Sequence, residues 1–173
     1  LILSNGIKLL KKPLNGKVIL SLPYSDKVGN FTIEKTGIYS IWQKGDLLKK
    51  TPINKFRPHL YDAATNKELI LKPSIMSPRS NNFSTGQMEM FTFTAKAGDY
   101  ELKLLSGSSV SKLQSVVGSA IPLTNIDPKN YFIEVRESQS QLLTLLSIPI
   151  MLLGLAGVIG GLIMGLLAEQ LFI

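Results

Sequence analysis

LLTLLSIPIMLLGLAGVIGGLIMGLLA, residues 142–168, holds only two ordinary polar side chains, Thr144 and Ser147. No Asp, Glu, Lys or Arg occurs between Glu137 and Glu169. A helix rises about 1.5 Å per residue, so about 20 apolar residues cross a hydrocarbon layer about 30 Å thick. The run is longer than that and would span with some tilt. A soluble helix shows a polar stripe toward water, and this one has none. The spacing predicts a C-terminal transmembrane helix over 142–168 and a short tail over 169–173.

Within this helix Gly157, Gly161 and Gly165 recur at every fourth residue. Ala156 and Gly160 form a parallel small pair, and Gly154 adds a further notch. Small residues at such spacing let a second helix approach to backbone contact. A glycine inside a helix costs about 1 kcal/mol relative to alanine in aqueous scales. Five glycines between 154 and 165 are therefore a poor choice for a passive anchor. The expected partners of Gly154, Ala156, Gly157, Gly160, Gly161 and Gly165 are other transmembrane subunits, a hetero-complex being favoured over a homodimer. Pro149 falls in the first turns, where it starts or kinks the span. No charge lies inside the span, so the helix offers no ion path of its own.

Upstream, residues 138–141 form a linker too short to act as a free tether. The head should then stand close to the bilayer. Residues 17–137 have the texture of short strands with turn punctuation. YFIEVRE (131–137) alternates Tyr131, Ile133 and Val135 against Phe132, Glu134 and Arg136. FRPHLYDAATNKELILK (56–72) reads as a hairpin around Asp62–Asn66, and NFTIEKTGIYSIWQKG (30–45) as two strands around Thr36-Gly37. QMEMFTFTAKAGDYELKLLSG (87–107) is another strand, turn and strand, whereas 73–86 reads as a surface loop. A short helix or irregular crossing is placed around 112–117. The fold class expected is mainly β: an antiparallel sandwich, immunoglobulin-like or jelly-roll-like, followed by the C-terminal helix.

One pattern occurs twice. Phe31-Thr32-Ile33-Glu34-Lys35-Thr36-Gly37-Ile38-Tyr39 is matched by Phe93-Thr94-Ala95-Lys96-Ala97-Gly98-Asp99-Tyr100. Each is a strand, a glycine turn, then Tyr with an aliphatic two residues on, which share one face. The pattern resembles the Gly-x-Tyr corner of immunoglobulin-like, jelly-roll and bacterial pre-peptidase-type sandwiches. It is also similar to the tyrosine corner, which implies a phenol bonded back to the backbone. The resemblance supports an architecture and implies no ligand.

The first 16 residues, LILSNGIKLLKKPLNG, open without Met, as a processed or partial start would. A helix over 3–14 would share Leu3, Ile7, Leu10 and Leu14 on one face, with Lys8, Lys11 and Lys12 opposite. That suggests an arm on the membrane surface, or equally the tail of an upstream apolar segment. The net charge of +7 is uneven: residues 1–72 carry +8 and residues 73–141 carry zero. Anionic lipid headgroups or an acidic subunit would answer it. Nucleic acid is a poorer match, because the lysines are scattered along strands.

The signatures of catalysis are missing. His59 is the only histidine and there is no cysteine, so HExxH, a two-imidazole site and thiolate sites are excluded. No Gly-x-Ser-x-Gly elbow or phosphate loop occurs. Glu89, Asp99 and Glu101 do not stand out as a catalytic pair. No cofactor or metal is expected. Trp42 follows Ile41 directly, so in a strand it points opposite Tyr39 and Ile41, toward a ligand or partner; the other reading puts it in the core. Positive-inside counting, with Lys129 and Arg136 before the helix, favours a cytoplasmic tail-anchored domain. The sandwich texture and the absence of cysteine favour an exported one in a bacterial envelope, which is the reading adopted. The expected function is a non-catalytic accessory subunit of a membrane complex. The alternative is a membrane-anchored module binding a glycan or other envelope polymer.

Overall fold

The computed structural model describes residues 2–46, 56–81, 84–107 and 130–168. The helix expected around 112–117 and the tail over 169–173 lie outside the described residues. The chain divides into two compact units, residues 16–138 and residues 1–15 with 139–173.

The first unit is an antiparallel β-sandwich. Its strands are β1 (Val18–Pro23), β2 (Val28–Ile33), β3 (Gly37–Asp46), β4 (Phe56–Asp62), β5 (Lys72–Pro73), β6 (Arg79–Asn81), β7 (Thr85–Ala95), β8 (Gly98–Ser106) and β9 (Phe132–Glu137). The larger sheet runs β1-β9-β3-β7-β5, with β6 also on β7; the smaller runs β2-β8-β4. Alternation along β9 sends Ile133 and Val135 into the core and Glu134 and Arg136 to the opposite face. In the smaller sheet Leu60, Leu102 and Ile33 are sealed from solvent in the same way. Removing each such side chain from water contributes about 2 kcal/mol.

The two glycine–tyrosine corners carry the chain from one sheet to the other. The first joins β2 to β3 and the second joins β7 to β8, so neither is a hairpin within a sheet. The corners lie side by side, since Ile33 pairs with Gly98 and Gly37 with Ala95. Tyr39 donates its hydroxyl to Lys35 O at 2.5 Å, and Tyr100 donates to Lys96 O at 3.0 Å, each four residues back. Gly98 needs its missing Cβ, because its φ of 155° is one that L side chains rarely adopt. The aromatics exchange partners: Phe31 stacks on Tyr100 and Tyr39 packs tilted against Phe93, each with centroids 5.9 Å apart.

The hairpin expected over 56–72 is half realised. Asp62 Oδ1 accepts the Ala64 and Thr65 N–H groups at 3.0 and 2.9 Å, and Asn66 turns at a φ of 54°. Beyond the turn Glu68 makes an isolated bridge to Tyr61, with Asp62 N–H donating to Lys67 O at 3.0 Å and Leu69 N–H to Leu60 O at 2.8 Å. Lys72-Pro73 then joins the other sheet on β7. The expected surface loop over 73–86 instead supplies β6 at the edge of that sheet.

The second unit pairs α1 (Ile2–Lys11) with α2 (Gln141–Leu166). The helices run antiparallel. A Cβ on Gly154 would come within 2.6 Å of Leu3 N, and one on Gly6 within 3.0 Å of Met151 N. Gln139 Nε2 closes the other end by donating to Leu9 O at 2.7 Å and Thr144 Oγ1 at 3.0 Å. Pro149 lies inside α2 and leaves one backbone carbonyl without its helical donor. With a mean hydropathy of 2.5 over its most apolar stretch, α2 is long and apolar enough to cross a membrane.

The corners generate a measurable expectation. Tyr39→Phe and Tyr100→Phe each remove one hydrogen bond and should each cost the sandwich about 1 kcal/mol in denaturant unfolding followed by fluorescence of the single tryptophan. Equal stability of both variants and the parent would show that the phenols add nothing to the corners.

Candidate functional site

The candidate site is built on α2. Thr144, Ser147, Met151 and Gly154 recur at helical spacing and form the face that receives α1. Thr144, Ser147 and Gly154 are the buried positions of the helix. Ser147 Oγ donates to Thr144 O at 2.5 Å, so this polar group is satisfied within its own helix. Steps of seven and eleven residues bring Gly161 and Gly165 to within about 20° of Gly154 around the axis. Gly154, Gly161 and Gly165 therefore share one face of α2.

Gly154 is filled by α1 of the same chain. Among the described residues, and leaving aside their own helix's neighbouring backbone, Gly157, Gly160, Gly161 and Gly165 have nothing within 4 Å of the place a Cβ would take. Ala156 is exposed, and so are the large apolar neighbours Leu152, Leu153, Leu162 and Leu166. Small residues flanked by exposed Leu form notches that a further helix can enter, gaining dispersion contacts without removing a side chain first.

Lys8, Lys11 and Lys12 are exposed on α1 or just past it. At about 100° per residue they fall on the side away from Gly6, together with Ser4, while Asn5 lies on the flank. These two are exposed as well. Lys8 and Lys11 lie in the last turn of α1, where positive charge complements the helix dipole.

In the sandwich, Trp42 points to the face opposite Ile41, as alternation requires, and is 0% exposed. Its Nε1 donates to Ser40 Oγ at 2.7 Å, and the Arg136 guanidinium sits 4.9 Å from its ring centre. The ring offers no surface to a ligand in this structure. Arg136 donates from Nε at 2.9 Å and from Nη2 to Glu134 Oε2, and from Nη2 to Gln87 Oε1 at 2.5 Å. Lys44 Nζ reaches Glu134 Oε1 at 3.3 Å. Glu89 accepts from Ser74 Oγ at 2.7 Å. Burial pushes the Glu89 carboxyl above the usual carboxylate range; the Ser74, Ser40 and Ser138 hydroxyls pull the other way without cancelling it. This is a packed polar layer.

The carboxylates considered for acid–base work are separated, with Glu89 on the larger sheet and Asp99 and Glu101 on the smaller. Asp99 accepts from Thr32 Oγ1 at 2.6 Å, and Glu101 pairs with Lys103 at 2.6 Å. Both border an open groove of about 540 Å³ with Asn30, Tyr61 and Asn66. His59 Nδ1 lies 2.6 Å from Glu68 Oε1. No group of three His, Cys, Asp or Glu able to hold a metal occurs among the described residues.

The polar layer predicts a pH effect. Because the folded-state pKa of Glu89 is raised, the native state binds the extra proton, and its stability falls as pH rises through the normal carboxylate range. Glu89→Gln should therefore raise the melting temperature at pH 7, and its advantage should shrink toward pH 4. A constant difference across that range would place the titration elsewhere. Among known proteins, no family model and no curated sequence matches the chain.

Proposed function

We propose that the chain is a non-catalytic accessory subunit of a larger membrane complex, docked by α2 against the transmembrane helices of a different subunit. The observation that carries this reading is the Gly154 notch. There α2 accepts a helix at backbone contact, and Gly161 and Gly165 repeat small residues on the same face of α2. Helix association in lipid draws on such close packing, since burying Leu away from acyl chains gains little. The basic sandwich is assigned to the extracytoplasmic side, over the partner, in a bacterial envelope.

Replacing Gly161 and Gly165 with Leu fills both notches. The variant should lose its partner subunit on purification in mild detergent while its sandwich stays folded by fluorescence. Undiminished co-purification would defeat the docking proposal. The assignment of sides has its own check. A membrane-impermeant amine reagent applied to intact cells should modify exposed Lys17; labelling only after lysis would put the sandwich in the cytoplasm.

A further inference from the structure

The polar side of α1 lies where a lone lipid-facing helix could not afford it. Gly6 and Leu3 contact α2 at Met151 and Gly154. Asn5 lies between those levels, about 15 Å along α2 from Gln141 at a rise of about 1.5 Å per residue. With α2 spanning a hydrocarbon layer about 30 Å thick, that is near its middle. Asn5 is exposed on a flank of α1 and Lys8 and Lys11 are exposed on the side away from α2, and together they wind as a polar line from the middle of the layer up to its edge. Headgroups would meet Lys11 and Lys12, but they do not reach the depth of Asn5. An amide held in acyl chains lacks hydrogen-bond partners, and Cβ vectors tilt toward the helix N-terminus, which aims Lys8 inward rather than toward the surface.

We infer that this face of α1 is covered by a transmembrane helix of the partner subunit, bearing a carboxylate near the membrane surface opposite Lys8 and Lys11 and a hydrogen-bonding side chain deeper, opposite Asn5. The inference rests on the docking reading above and names the partner's chemistry. It adds to the open glycine notches on α2 a second, polar contact on α1, so the partner is recognised by charge as well as by shape.

The test uses the full chain in phosphatidylcholine vesicles, with a donor dye on a cysteine introduced at Leu152, an exposed position of α2. The acceptor is a Leu/Ala transmembrane peptide with a Glu in its terminal turn and an Asn about one and a half turns deeper; the control peptide has neither. Energy transfer should show the Glu/Asn peptide associating about three- to tenfold more tightly than the control. Asn5→Leu combined with Lys8→Gln and Lys11→Gln should abolish that preference. Gly161→Leu with Gly165→Leu should weaken both peptides and leave the preference. Equal binding of the two peptides, still sensitive to the glycine changes, would overturn this inference and leave docking standing. If neither peptide associates, both readings fall. If the lysines instead recruit phosphatidylglycerol and its presence erases the peptide preference, the face meets headgroups and the inference is wrong.

Discussion

Two aromatic pairs, Phe31 on Tyr100 and Phe93 on Tyr39, hold the sandwich together where the chain changes sheets. Each tyrosine is fixed at both ends, by its ring against the other corner and by its hydroxyl on a backbone carbonyl of its own. The reciprocity matters more than the energy of either stack. β2 and β8 lie in one sheet and β3 and β7 in the other, so the two crossings set the registers of both sheets at once. A slip of one residue at either crossing would turn Phe or Tyr out of the core and expose its ring.

The larger sheet is unusual in carrying buried side chains on both faces. Its core face is aliphatic and aromatic. On its other face a connected set runs from Ser74 and Glu89 through Ser40 to Trp42, Arg136, Glu134 and Lys44. Burying charges costs several kcal/mol per ion unless they are paired and hydrogen-bonded, and here Arg136 and Glu134 satisfy one another. Such a layer adds little net stability, but it tolerates few alternative arrangements, which favours a single register of β3 against β9.

Much of this was legible in the residues. Period-two alternation gave most strands, the repeated Gly-x-Tyr pattern gave the corners, and 142–168 gave the long helix. What the pattern lacked was partnership. Nothing in FTIEKTGIY says that its two strands belong to different sheets, because a corner and a hairpin share the same local chemistry. Glu134 and Arg136 alternate as solvated residues do, and only their proximity to Trp42 and Gln87 reveals them as buried. The Ser- and Pro-rich run after Lys72 hid two short edge strands whose pairing with β7 owes nothing to propensity. The pairing of α1 with α2 has a trace in the sequence. Thr144, Ser147 and Gly154 are small or polar residues that share one face of an apolar helix. Gly6 reads as a helix breaker until a backbone is found against it.

The order of elements has a thermodynamic consequence. The sandwich is inserted between two helices that pair with each other, and its first and last strands are neighbours, with Glu137 N–H bonded to Lys17 O at 3.0 Å. Joining the ends of an unfolded loop of this length costs about 4 kcal/mol of chain entropy. A folded sandwich already holds those ends together, so α1 finds α2 as a tethered neighbour. Conversely, a formed helix pair shortens the search that brings β1 to β9. Each unit thus lowers the entropic cost of completing the other, whichever is made first.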